Sequence, residues 1–139
     1  MTDATTRMQF HVSAKRIDSH GSEAHCKDAL ITLDTDLQGR ANAFNPAELL
    51  LAALAACIIK GIERVTPILK FHLRGVEVRI DGERQDAPPK MVSISYEIIV
   101  DTDEPDSRLE LLHTNVQKFG TVFNTVAPGT VLTGTLRRI

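Results

Sequence analysis

Two thiols are the residues best equipped for chemistry in this sequence, and their settings differ. Cys57 lies in the run Leu49 to Ile59, where every other residue is apolar, and Cys26 falls in a stretch with strand character. A thiol attacks an electrophile or cycles between redox states only as the thiolate. Free cysteine, with a pKa near 8.5, is only a few per cent ionised at neutral pH, and apolar burial lowers that fraction. Cys57 also lies three turns into its helix, beyond the reach of the N-terminal dipole. It therefore needs a cation beside it, and each unit of pKa lowering takes about 1.4 kcal/mol of net interaction. Without that cation it is an inert core residue. A disulfide to Cys26 would need the two Cα atoms within roughly 7 Å, and nothing in the sequence predicts that approach.

The other chemical residue types carry no comparable signal. Histidines 11, 20, 25, 72 and 113 lack metal-ligand spacing, and His25 and Cys26 are neighbours on a strand, so they point to opposite faces. No phosphate-cradling glycine loop, paired-carboxylate signature or serine nucleophile motif is present. No metal and no cofactor is expected.

The element that must position Cys57 is the segment Asn45 to Val65. Asn45 suits an N-cap, Pro46 the first helical position, and Glu48 completes a capping-box spacing. Thr66-Pro67 is expected to end this helix, because Pro67 has no N–H for the ladder. A helix apolar on every side must be buried all round, and eleven apolar residues followed by Lys60, Glu63 and Arg64 cannot span a bilayer.

Around that helix the patterns predict strand, strand, helix, strand, strand, helix, strand. Residues 1–7 read as a polar, frayed start. From Met8 the chain alternates, with Met8, Phe10, Val12 and Ala14 on one face and Arg16 at the end of that same face. A turn at Asp18–Ser22 leads to a second strand over about Ala24–Asp34, forming a hairpin. Strands are predicted over Leu73–Asp81, Met91–Val100 and Thr130–Arg138, and helices over Pro105–Phe119 and briefly around Val122–Val126. Gly82–Lys90 reads as a connection. This is an α+β domain with antiparallel sheets around a central apolar helix. One small protomer has too few other elements to surround that helix, so an obligate homodimer is expected.

Length and composition narrow the setting. A chain of 139 residues is expected to form one domain, and a net charge of −2 gives no case for nucleic acid. No secretory signal is visible at MTDATTRM, and two cysteines without framework spacing point to a reducing, cytoplasmic compartment.

The segment NPAELLLAALAACIIKGIE resembles the helix of the OsmC/Ohr family, the osmotically inducible and organic-hydroperoxide-resistance proteins, and the order of elements agrees along nearly the whole chain. The family pattern is Asn-Pro-Glu followed ten residues later by a cysteine; here it is Asn45-Pro46-Ala47 and Cys57. The resemblance implies an intertwined α+β homodimer and reduction of organic hydroperoxides. In that reading Cys57 attacks the peroxide, and a second cysteine opening a later helix resolves the product. An arginine near the first hairpin and the motif glutamate activate the thiolate. Ala47 replaces the glutamate, and Gly120 occupies the place of the second cysteine. Glu48 cannot stand in within one helix, since it lies half a turn round and about 13.5 Å along the axis from Cys57. Arg16 is the candidate activating arginine, with Arg40 the second choice.

Two functions fit these residues. One is a one-cysteine thiol peroxidase using Cys57 and Arg16, with a small hydrophobic peroxide as substrate and an external thiol as reductant. The other is a non-catalytic dimer that keeps an apolar cavity near Cys57 for a small hydrophobic ligand.

Overall fold

The computed structural model describes residues 7–139, so most of the polar start expected at residues 1–7 lies outside the described residues. The chain folds into two compact units, one up to Leu49 and the other Leu50–Ile139. The class is α+β, with two three-stranded sheets and three α-helices among the described residues.

The first unit is a meander of β1 (Ser13–Asp18), β2 (Gly21–Cys26) and β3 (Ala29–Leu33), all antiparallel. The single second strand expected at Ala24–Asp34 is instead a hairpin broken at Lys27-Asp28. Lys27 takes the left-handed conformation (φ 53°) that such a tight turn requires. The first strand begins at Ser13 rather than Met8, because no neighbour pairs with residues 7–12. Arg16 lies opposite Ser22, which lies opposite Leu33, and Ala14, Ala24 and Ile31 form the next rank on the same face. The ladder thus places Arg16 on the same side of β1 as Ala14. After β3 a loop folds around the buried Asp34, whose carboxylate accepts the amides of Asp36 and Arg40, each at 3.1 Å.

Helix α1 (Pro46–Leu69) starts with the expected capping box: Glu48 N–H donates to Asn45 Oδ1 at 2.8 Å, and Asn45 N–H to Glu48 Oε1 at 3.0 Å. It runs on past Pro67, where termination was expected. Pro67 takes away one donor, but the carbonyl that loses it, Glu63 O, accepts the Thr66 hydroxyl at 3.3 Å. The helix closes with a Schellman motif. Lys70 turns left-handed (φ 51°), Phe71 N–H bonds Thr66 O at 2.9 Å and Lys70 N–H bonds Pro67 O at 3.3 Å. The Arg108 guanidinium adds a cation on Leu69 O, where the helix dipole is negative. No helix among the described residues is long and apolar enough to cross a membrane.

The second sheet has the order β4 (Gly75–Asp86), β5 (Pro89–Asp101), β6 (Val131–Arg138). The predicted Gly82–Lys90 connection is mostly strand, with the turn only at Ala87-Pro88. One pairing departs from the antiparallel expectation: β6 runs parallel to β5, because α2 (Asp106–Phe119) and α3 (Thr121–Val126) carry the chain back before it re-enters the sheet. Val76, Val78 and Ile80 of β4 face Val100, Ile98 and Tyr96 of β5, and Leu132, Gly134 and Leu136 of β6 extend the layer. Against it pack Leu54, Ile58, Ile62 and Val65 of α1, and Leu109, Leu112 and Val116 of α2. Only that stripe of α1 is buried; Ala53, Ala56, Lys60 and Ile68 are exposed, so burial all round is not met within one chain. Phe119, expected to complete the α2 stripe, is half exposed beneath Arg64, whose guanidinium carbon lies 5.2 Å from the ring centre.

Candidate functional site

Cys57 sits on the flank of the buried stripe of α1, half-buried and packed against the core of the second unit. Its sulfur faces the junction of α2 and α3, where Gly120 is buried. Gly120 has an ordinary extended φ of −77°, so its lack of a side chain serves space rather than backbone freedom. A Cβ there would stand 3.0 Å from Cys57 Sγ and 3.0 Å from Phe123 Cβ. In a disulfide, the Cβ of one cysteine stands about 3 Å from the sulfur of the other, because the S–S bond is about 2.04 Å long. The place expected for a second cysteine is therefore beside the thiol, at disulfide distance, and holds no sulfur.

From Gly120 a continuous contact path leads to a polar cluster. Phe123 meets the Tyr96 ring edge-on, with centroids 6.0 Å apart. Tyr96 Oη lies 2.7 Å from His113 Nε2, and Gln117 Nε2 donates to the same hydroxyl at 3.3 Å. Burial pushes the Tyr96 phenol above its ordinary pKa and pulls His113 below its own, so both stay neutral around pH 7. With Nε2 bare, His113 accepts the Tyr96 proton while Tyr96 accepts from Gln117. Gly134, opposite Tyr96 on β6, makes this arrangement possible, since a Cβ there would fall 2.2 Å from the phenol ring. The readable signals were the only tyrosine of the chain on an inward strand position and the four-residue spacing of His113 and Gln117 on a helix.

The expected activating residues are placed as follows. Arg16 stands exposed on β1 in the first unit and enters no ion pair among the described residues. Arg40 is held in the loop of that unit: its Nε donates to Asn42 Oδ1 at 2.7 Å, and its Nη1 lies 3.5 Å from His20 O. Glu48 is occupied by its capping box. Cys26 and Cys57 are both free thiols. The Cys57 thiol makes no hydrogen bond among the described residues. One cation was overlooked: Lys60, three residues on, has its Cβ about 5–6 Å from that of Cys57 on the same side of the helix.

A family model described as OsmC-like protein matches residues 39–134. Among solved structures, an OsmC-like protein from Mycoplasma pneumoniae superposes with a TM-score of 0.88 at 17% identity, covering 96% of this chain and 99% of that one. An organic hydroperoxide resistance protein OsmC from Legionella pneumophila gives 0.70 at 19% identity, covering 94% and 98%. The organic hydroperoxide resistance protein OhrB of Bacillus subtilis gives 0.65 at 16% identity, with the same 94% and 98%. No curated protein matches the sequence.

Proposed function

The chain belongs to the family of OsmC-like proteins, and on that premise we propose that it reduces organic hydroperoxides as a one-cysteine thiol peroxidase acting through Cys57. The Cys57 thiolate attacks one peroxide oxygen, the O–O bond breaks, and the departing alkoxide takes a proton to become the alcohol. Cys57 is left as a sulfenic acid. An external thiol condenses with it, releasing water, and a second external thiol displaces the mixed disulfide to restore Cys57. The reductant is thus oxidised to its disulfide, consistent with work in a reducing, cytoplasmic compartment.

The observation that supports this reading best is the backbone of Gly120 against the Cys57 sulfur, because no resolving thiol then stands where the family pattern would put one. Arg16 supplies the activating guanidinium in this proposal, with Lys60 the cation nearest along the helix. The working unit is a homodimer, and the substrate is a small hydrophobic peroxide.

The experiment is treatment with tert-butyl hydroperoxide, with sulfenic acid trapped by dimedone and located by mass spectrometry. Modification at Cys57, lost in Cys57→Ser, is the expected result, and it should be slower in Arg16→Ala. An unmodified Cys57 while the peroxide persists would defeat the proposal. A second variant sharpens it: Gly120→Cys should close an internal disulfide with Cys57 on oxidation. The alternative, a non-catalytic binder of a small apolar ligand, draws support from the thiol's lack of a hydrogen bond among the described residues. It requires equal peroxide consumption by the wild type and Cys57→Ser.

A further inference from the structure

The arginines of the second unit are nearly all spoken for. Arg74, Arg79, Arg84, Arg108, Arg137 and Arg138 each have a carboxylate oxygen within 3.5 Å. Arg64 is the exception among the described residues. Its guanidinium carbon lies 5.2 Å from the centre of the half-exposed Phe119 ring, and the Lys118 ammonium lies 5.4 Å from the same centre. Both cations are exposed, and neither head group has a carboxylate or hydrogen-bond partner among the described residues. A guanidinium lying on an aromatic ring still has its N–H fork free for a carboxylate.

This cationic surface adjoins the thiol along both elements that form it. On α1, Arg64 follows Cys57 by seven residues, which is two turns along the same side and about 10.5 Å along the axis. Lys60 lies between them. At the end of α2, Phe119 is bonded to Gly120, where a Cβ would stand 3.0 Å from Cys57 Sγ. Glu63 is the one carboxylate on this stretch of α1, and it is exposed and pairs with neither Lys60 nor Arg64. In a chain of net charge −2, three such cations beside one thiol make a local positive field that draws anions to it.

We infer that the external thiol which resolves the Cys57 sulfenic acid is an anionic thiol peptide, its carboxylate taken by Arg64 and Lys118 while its sulfur reaches Cys57. The inference rests on the peroxidase reading above and names the class of its reductant. The span sets the size. The roughly 10 Å between the Cys57 and Arg64 levels of the helix is bridged by two or three extended residues, at about 3.3–3.6 Å each. A first peptide condenses with the sulfenic acid, forming the S–S bond and releasing water. A second attacks the outer sulfur, so that Cys57 leaves as thiolate and the peptide departs as its disulfide. The cations act on the approach of each peptide, and so on the second-order rate.

The test makes the Cys57 sulfenic acid with tert-butyl hydroperoxide, verifies it by dimedone trapping, and follows its reduction by quenched-flow mass spectrometry. The two probes are glutathione and its diethyl ester, in which the same sulfur is kept and the carboxylates are masked. In the wild type glutathione should react at least about fivefold faster than the ester, and high salt should narrow that gap. Arg64→Gln with Lys118→Gln should slow glutathione at least about fivefold and leave the ester within about twofold. Equal rates for the two thiols in the wild type, or a double variant that slows both alike, overturns the anionic-thiol assignment and leaves the peroxidase standing. Absence of a dimedone adduct at Cys57 overturns the peroxidase reading, and this inference with it.

Discussion

The two units solve the problem of burial in opposite ways. The second unit has Leu54, Ile62, Ile98, Val100 and Leu112 at 0% exposure, drawn from one sheet and two helices. Among the described residues of the first unit the only buried hydrophobic one is Ala24, while Met8, Phe10 and Val12 are 81, 79 and 61% exposed. A three-stranded sheet without an apolar core is marginal in water. The first unit keeps its local form through hydrogen bonds instead, chiefly those gathered by Asp34. The difference teaches where each kind of substitution will register. Packing changes register in the second unit, polar changes in the first, and apolar changes in the first only where something covers it.

The largest contrast expected is between two isoleucines. Ile98→Ala should cost about 2–5 kcal/mol, because it removes a fully enclosed side chain and leaves a cavity. Ile31→Ala, at 45% exposure, should cost under about 1 kcal/mol in dilute protein. Urea unfolding followed by far-UV circular dichroism reads both. If Ile31→Ala grows as costly as Ile98→Ala when the protein is concentrated, the first sheet is covered by association; equal costs at all concentrations would erase the contrast.

A polar substitution in the first unit should come next in size. Asp34→Ala removes the buried acceptor of the half-buried Asp36 and Arg40 amides, at about 1–3 kcal/mol. Hydrogen exchange of those two amides should rise before any change appears in the second unit. A uniform loss across both units would mean that the chain unfolds as one.

Much of this architecture could be read in the sequence, and the failures have local causes. The capping box, the inward rows of β4 and β5 and the side of β1 that carries Arg16 rest on short-range spacing, which the chain states directly. The Lys27-Asp28 turn leaves no signal in the sequence because its left-handed position falls on Lys27 rather than on a Gly, Asn or Asp. Pro67 misled because the Thr66 hydroxyl compensates for its missing donor. The Tyr96–His113–Gln117 cluster joins residues 17 and 21 positions apart, which no local pattern announces. Its nearness to Cys57 by way of Phe123 and Gly120 is a property of packing alone.

The smallest expected effect is also the most selective, because the two units should answer acid in opposite senses. His20 lies 2.8 Å from Asp36, and that hydrogen bond, with the charges of Asp36 and Asp18, raises its pKa. A raised pKa means that the folded form holds the proton more tightly. Its contribution is therefore complete below about pH 6.5 and is lost as pH rises through the raised value. Asp36, lowered by the same bond, stays ionised across this range. His113 behaves the other way. Burial lowers its pKa, so its contribution is complete above about pH 6.5 and is lost as pH falls through the lowered value. Protonation there turns Nε2 from acceptor to donor and leaves the Tyr96 hydroxyl proton without its partner, while Gln117 already donates to the same oxygen. Between pH 7.5 and 5.5 exchange in the loop of residues 34–40 should therefore slow, after correction for intrinsic rates, while exchange in α2 accelerates. His113→Gln should flatten the α2 profile and leave the loop unchanged. Two profiles moving in the same direction would show that one global transition, rather than two local protonations, governs the response.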